Sequence, residues 1–421
     1  MNLCIFEDDT FSNFYPLTHL RPTFQLRVGL YTLDERLIRT LQPQNVRYIC
    51  RKNLNPTLRE GGFEPVTSAF RVEQRMLFVN GLVIDAYTLA DQLPLNDNED
   101  FIALHGERLI AAQLSPDHAR EFTYYLLDQD ITEILRHLAS QVRCIQVETD
   151  IATYPWDFIA RNPAMIETDI AHLPDRGIYG DVHPQAVLYN TAAIHIDAGA
   201  QIDAMAVIDA RDGPIRIAAD VHVQPFSYIQ GPTSIGRDTM IVGGQIREGT
   251  TIGPVCRVGG EVEESIIQGY SNKYHAGFLG HSYLGEWVNI GAIATNSDLK
   301  NTYSNIRMEV NNIMLDTGSQ KMGVVLGDHV KLGIGVMLVG GATVGIASNI
   351  MNGLAPKVMP SFVWSDGSNY TEYNLDKFLS VARRAMRRRK IEMTTAQANL
   401  IRHVFYLTRQ QRAPDYRSQV I

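Results

Sequence analysis

The sequence predicts an α/β layer, then a parallel β-helix of hexapeptide repeats, then a helical tail. Three observations carry this. Short apolar runs alternate with helical stretches over the first 150 or so residues. From about residue 182 an aliphatic residue recurs every six positions. After Pro360 that period stops and helical spacing replaces it.

In the first part, Leu3–Phe6, Val46–Cys50, Met76–Asn80, Phe101–Leu104 and Arg143–Val147 read as strands bounded by polar or turn residues. Helical stretches such as Gly29–Leu41 and Glu121–Leu138 lie among them, the pattern of a mainly parallel sheet. His105-Gly106-Glu107 reads as a hairpin turn. Tyr154–Asp181 is rich in Pro, Asn and Asp and reads as the join between domains. The domains are placed at 1–175, 176–365 and 366–421.

The repeat is clearest at Ile217, Val223, Ile229, Ile235 and Ile241. It resumes at Ile252 and Val258, at Leu284 and Ile290, and in Leu326, Leu332, Leu338, Val344 and Ile350. Period six fits neither a 3.6-residue helix nor one face of a simple sheet. It fits short strands joined by turns, with stacked coils of about eighteen residues burying an aliphatic ladder. Gly after the aliphatic residue reads as a turn residue at positive φ. The polar stretch Thr295–Ser319 interrupts the repeat as a loop excursion, where binding residues often sit. In the tail, Leu375, Phe378, Ala382 and Met386 share one helical face, and Leu400, Val404 and Leu407 suggest a second helix that Thr394 or Thr395 would cap.

Composition narrows the function. The chain has 421 residues, more than one core normally covers. Hydrophobic residues at 45% and charged ones at 20% exclude the disordered and fibrous classes. A net charge of -8 favours a small-molecule partner over nucleic acid. Glu7, Asp8 and Asp9 stand where a secretory signal carries cations. No apolar run is long enough to span a membrane. Cys4, Cys50, Cys144 and Cys256 match no metal spacing and suit a reduced cytoplasm.

Chemistry concentrates in Asn272–Trp287, where Lys273, His275, His281 and Tyr283 meet within one coil. Acyl transfer from a thioester to an amine needs a base and an oxyanion donor. His281 is the first choice of base and His275 the second, although either could instead cap a coil edge. Asn296 follows His281 by nearly one coil and could orient the imidazole or bond the substrate amine. At the N-terminus the strand Leu3–Phe6 leads into Glu7 and Asp8, and a nucleotide site usually sits at such a strand end. Arg21 and Arg27 could pair phosphates, and the acids could hold magnesium or cap the next segment. No GxGxxG or P-loop is present. The run Arg383–Lys390 is a solvated helix face or a contact for the phosphates of coenzyme A, nucleotide or RNA.

Gly277–Trp287, Asn296–Asn301, Pro16-Leu17-Thr18 with Arg21-Pro22, and Tyr154–Asp157 resemble the bifunctional N-acetylglucosamine-1-phosphate uridylyltransferase/glucosamine-1-phosphate N-acetyltransferase family, in an alternative bacterial branch. The resemblance implies a nucleotidyltransferase-type (Rossmann-like) α/β domain, a left-handed parallel β-helix, and homotrimers with acetyl-CoA sites between neighbouring chains. It implies a sugar phosphate and a nucleoside triphosphate as further substrates, with Mg2+ for nucleotidyl transfer. His281, Tyr283 and Asn296 look like counterparts of the family's catalytic residues, with His275 still open. Arg257 and Lys273 match its sugar-phosphate ligands, and Asp298 and Lys300, in the second motif, are further candidate substrate-binding residues. The family's Gly-rich nucleotide loop is replaced by Glu7–Phe14, and its metal-holding Gly-Asp by Gly81-Leu82, leaving Asp85 as a substitute. Three functions follow: a two-activity transferase, a chain with one live site, and a non-catalytic trimeric scaffold that binds sugar nucleotides.

Overall fold

A computed structural model describes residues 1–95, 99–128, 131–367 and 369–412. Contacts divide the chain into two compact units. The first holds Met1–Phe14, Leu20–Leu26 and Tyr31–Tyr154; the second holds Tyr15–His19, Arg27–Leu30 and Pro155–Ile421.

The first unit is built on a six-stranded sheet in the order Asn45–Ile49, Asn2–Phe6, Met76–Asn80, Arg108–Leu114, Phe101–His105, Arg143–Gln146. All pairings are parallel except those of Arg108–Leu114, which runs against both neighbours. Gly106, with φ 61, turns the expected hairpin. Leu3, Cys4, Ile5 and Phe6 are wholly buried, as expected of a strand covered on both faces. The chain leaves this strand to pair on one side with Asn45–Ile49 and on the other with Met76–Asn80. That makes the end of Phe6 a topological switch point, where a crevice forms.

The second unit is a parallel β-solenoid. One of its sheets stacks nine strands, starting at Ile194–Ile196 and Ile215–Ile217 and ending at Ala342–Val344 and Val358–Met359. Every ladder residue of the six-residue repeat is buried, from Ile217 and Ile235 at 0% exposure to Ile290 at 6%. The coils are less uniform than eighteen residues. Ile235 pairs with Ile252, Ile252 with Ile267, and Ile267 with Leu284, so the phase slips wherever a corner is shortened. Leu284 then pairs with Leu326 across the Thr295–Ser319 excursion. Part of that excursion is a hairpin of Arg307–Val310 with Ile313–Asp316, turned by Asn311 and Asn312 at positive φ.

The glycines after ladder residues serve another purpose than expected. Gly236, Gly253, Gly327 and Gly345 are absent from the positive-φ set; the left-handed residue comes two positions later, at Asp238, Val255, His329 and Ala347. What requires glycine is the next coil. A Cβ on Gly253 would lie 2.0 Å from the carbonyl oxygen of Gln268.

One further expectation changes. Tyr154–Asp181 is mostly a helix, Pro155–Ala171, and that helix belongs to the second compact unit. Pro155 opens it, where the missing N–H is harmless. Asn162 and Asp169, both fully buried on it, accept the N–H groups of Gly29 at 2.7 Å and Leu30 at 2.8 Å. These bonds explain why Arg27–Leu30 belongs to the second unit.

The tail forms two helices, Leu375–Arg387 and Thr395–Leu407. Thr394 caps the second in a capping box with Gln397. Phe378, Ala382 and Met386 are buried as expected, but Leu407 is exposed. Residues 413–421 of the expected extension lie outside the described residues. Among the described residues no helix is long and apolar enough to cross a membrane.

Coil contact predicts a measurable cost. Gly253→Ala should destabilise the solenoid by about 3 kcal/mol, the scale of overpacking a close-packed interior. Gly335→Ala, at φ 69 with open space around its Cβ, should cost about 1 kcal/mol. Denaturation followed by circular dichroism compares them, and equal costs would contradict the coil-contact account.

Candidate active site

At the switch point of the first unit the carboxylates are already engaged. Glu7 accepts the backbone N–H of Thr23 at 2.9 Å and the Arg51 guanidinium at 2.8 Å. Asp8 accepts the Arg108 guanidinium at 2.8 Å, the Asn80 amide at 2.9 Å and the Thr10 hydroxyl at 2.6 Å. Both acids are almost wholly buried. Buried charges persist when paired and hydrogen-bonded, so these contacts hold the strand end together. Arg51 and Arg108 were not singled out in the sequence. The legible signal was positional: Arg51 follows a parallel strand and Arg108 opens the antiparallel one, so both reach the same sheet edge.

Asp85 is a helix cap. Its carboxylate accepts the N–H of Tyr87 at 3.0 Å and of Thr88 at 3.1 Å, and the Thr88 hydroxyl. With Asp85, Glu7 and Asp8 engaged in this way, these residues do not fit a magnesium ion. Arg21 is buried in the first unit, whereas Arg27 belongs to the second. The Arg27 guanidinium donates to the carbonyl of Leu30 at 2.7 Å. The first unit does hold a cavity of about 690 Å³, with Lys52, Phe70, Arg71, Arg120 and Tyr124 in its walls.

The solenoid places His281 at a coil corner, with φ 48 and 4% exposure. Its Nδ1 lies 2.8 Å from Asp298 and its Nε2 3.3 Å from Glu264. Stacking accounts for the trio. Glu264, His281 and Asp298 sit at matching points of successive coils, with Asp298 seventeen residues after His281. Glu263, beside Glu264, pairs with Lys321 at 3.2 Å. Burial opposes charge on the imidazole, but the two carboxylates override it and raise His281 to about 9. The Glu264 carboxyl is held low by its hydrogen bond to His281. Burial pushes Asp298 up, and the His281 contact outweighs it to leave that carboxyl low. Among the described residues, Glu263, Glu264 and His281 form the one group with metal-ligand spacing.

Other expected residues are placed differently. Asn296 does not reach the imidazole; its amide bonds the N–H and carbonyl of Gly280, each at 3.1 Å, and so fixes the coil that carries His281. Tyr283 is fully buried, and its hydroxyl accepts the Arg27 N–H at 2.7 Å beside Gln268 at 2.8 Å. That hydroxyl is structural rather than a substrate contact. Lys273 points inward at a ladder position, in register with Val258. Its ammonium donates to the carbonyls of Gly259 at 2.9 Å and His275 at 3.1 Å, and burial lowers it to about 8. His275 is exposed, with its ring edge-on to Tyr274. Arg257 donates to the carbonyls of Asp238 and Cys256, and Lys300 to that of Asn305 within the excursion. Glu264 was the residue missed; the one-coil spacing before His281 was its signal.

Two units, one with a nucleotide-type switch point and one with an imidazole between carboxylates, frame the comparison with known proteins. Residues 3–176 match the family of sugar nucleotidyl transferases. The bifunctional sugar-1-phosphate nucleotidylyltransferase/acetyltransferase of Sulfurisphaera tokodaii is 29% identical over 152 residues, covering 34% of this chain and 36% of that one. The bifunctional protein GlmU of Acidithiobacillus ferrooxidans is 32% identical over 148 residues, 34% of this chain and 31% of that one. The chain thus spans about a third of the length of the curated relatives it matches. Among solved structures, a UDP-N-acetylglucosamine acyltransferase aligns at 15% identity with a TM-score of 0.25, over 56% of this chain and 83% of that one. That score carries no argument; the fold stands on the strand pairing above.

The ion trio gives a signed pH dependence. His281 is raised from 6.5 to about 9, so its contribution to stability is complete below pH 6.5 and is lost as pH rises through about 9. Asp298 and Glu264 are lowered, so theirs is present above 3.8 and 4.5 and lost on acidification. Lys273 and Lys331, both lowered to about 8, act in the opposite sense at alkaline pH. They are common to wild type and His281→Gln and cancel in a difference. The gap in melting temperature between the two proteins should therefore narrow from pH 6 to pH 9.5. A constant gap would show that the trio is not ionised as described.

Proposed function

We propose that the chain is a two-activity transferase. Its first unit joins a sugar 1-phosphate to a nucleotidyl group from a nucleoside triphosphate, releasing pyrophosphate. Its solenoid acetylates the amine of an amino-sugar phosphate from acetyl-CoA. The match of residues 3–176 supports the first activity. The observation that carries the second is the Asp298–His281–Glu264 alignment.

An amino sugar arrives as an ammonium ion, and the acids around His281 attract it. Binding of that ammonium against Glu264 draws the carboxylate from Nε2. The imidazole then loses its extra proton more readily and becomes the base, while Asp298 holds Nδ1 and sets the tautomer. The ammonium gives its proton to Nε2, the freed nitrogen forms the C–N bond, and the C–S bond breaks. The departing thiolate takes up a proton to become coenzyme A thiol. Gly280, held by Asn296, keeps the imidazole in place.

Loss of one activity is the second reading, and a specific observation favours it. The carboxylates at the nucleotidyl end are neutralised by Arg51 and Arg108 or cap a helix, while the His281 acids face a protonatable ring. Assembly as a homotrimer in the cytoplasm completes the proposal. Exposed Phe226, Ile293 and Ile334 on the solenoid offer apolar surface to a second copy, and the free cysteines suit a reducing compartment.

Thiol release from acetyl-CoA and pyrophosphate release, measured side by side on a panel of sugar phosphates, test the two activities. His281→Ala should lower acetylation by about 100-fold or more and leave pyrophosphate release intact. Glu264→Gln should move the alkaline rise of the acetylation profile to lower pH. If His275→Ala abolishes acetylation and His281→Ala does not, the base is the other histidine. Sedimentation at micromolar concentration should give three times the chain mass, and a monomer would refute the trimer.

A further inference from the structure

One connection in the first unit leaves part of the sheet without a helix over it. After the short helix Asn55–Glu60 the chain returns to the sheet edge, where Pro65 bridges to Tyr48 in parallel. It next enters a strand at Met76, again parallel to the strand Asn2–Phe6. Between them Thr67–Arg75 is neither helix nor strand. A parallel connection usually lays a helix on the sheet. This segment and the helix Pro116–Leu127 share one face, since Val66 and Val72 join Ala119, Phe122 and Leu126 in one core cluster. A groove of about 690 Å³ remains between them, of the size that holds small molecules.

The groove is apolar within and basic at its rim. Val66, Val72 and Thr123 are buried in its walls, and Phe70 and Leu127 are half-buried. Arg120, Tyr124 and Leu127 follow at helical spacing, so the helix turns one stripe toward it. Tyr124, an aromatic ring at 65% exposure, stands on the rim. Lys52, Arg71 and Arg120 bring three cations against one carboxylate, Asp128.

Nearby acids hold these cations weakly. Lys52 lies 3.5 Å from Asp128 and Arg120 2.7 Å from Asp117, and both pairs are exposed, where ion pairs contribute little. Arg71 donates to the carbonyls of Ser68 and Phe70 at 3.3 and 3.4 Å, with no carboxylate partner among the described residues. The groove is also not the switch point. Glu7, Asp8, Asn80 and Arg108, at the strand end, do not line it. A bare anion would leave the apolar walls in water, and a neutral apolar molecule would leave the cations unused.

We propose that this groove binds a small amphiphilic anion, its apolar body over Val66, Val72 and Leu127 and its acidic end on Arg71 and Arg120. An acyl-chain acid and an aryl acid share this chemistry. The proposal rests on neither transferase reading.

Fluorescence titration of the full chain with anilinonaphthalene sulfonate tests it. Uncharged phenylnaphthylamine is titrated beside it, and decanoate, UTP and inorganic phosphate serve as competitors. Saturable binding of the sulfonate, weakened at least about tenfold in Arg71→Glu/Arg120→Glu and again in Tyr124→Asp, supports the groove. Displacement by decanoate then identifies an acyl chain as the body, and its failure identifies an aryl body. All three altered residues are exposed, and circular dichroism confirms that each variant is folded. Absence of saturable binding, or affinity unchanged in both variants, overturns the proposal. The uncharged dye binding as tightly as the sulfonate overturns the anionic class. Displacement of the sulfonate by UTP or by phosphate would make the groove a nucleotide or plain anion site, and overturns it equally.

Discussion

Close stacking of one coil's backbone on the next is the constraint from which the second unit follows. Parallel strands in register bring Ile235, Ile252, Ile267, Leu284, Leu326 and Val344 into one column. Burying that column is the dominant favourable term, and it requires neighbouring backbones to approach closely. Gly253 lies against the Gln268 carbonyl and Gly333 against that of Met351, both positions where a Cβ would come within 2.0 Å. The coil must then turn a step later, which is why the left-handed residues Val255 and Gly335 follow those glycines two positions on.

The same stacking generates the chemistry. Side chains at equivalent corners of successive coils are held one above another, so residues one coil apart become neighbours. An acid, an imidazole and an acid placed at that interval make the Glu264–His281–Asp298 array without any cleft being folded for it. The aromatic stack of Tyr270, Trp287 and His329 is the same device one corner further on. Polar groups enter the column only where the backbone can answer them. Lys273 occupies a ladder position because the carbonyls of Gly259 and His275 take its ammonium, at the expense of its charge.

The first unit shows the opposite logic. Its strand end gathers acids at a switch point, and the fold supplies Arg51, Arg108 and Asn80 to satisfy them. A buried carboxylate needs such partners whether or not a ligand visits. Identical residues can therefore read as a nucleotide site in sequence and as a structural ion pair in space.

The solenoid, its ladder, the five strands first read in the α/β layer and the Thr394 cap were determined by local pattern. Each depends on residue spacing within a few positions, and a translational repeat carries that pattern through the chain. His281 was legible because it falls in the dense polar and aromatic stretch Asn272–Trp287. Tertiary structure decided what each polar group touches. Arg27 meets Tyr283 from 256 positions away, Asp8 meets Arg108 from 100, and Gly29 meets Asn162 from 133. Nothing in local spacing reports such pairings, because a hydrogen bond depends on where two distant backbones have been brought. Tyr283 and Asn296 thus became structural groups, Asp85 a cap, and Glu264, one coil before His281, the partner of the imidazole.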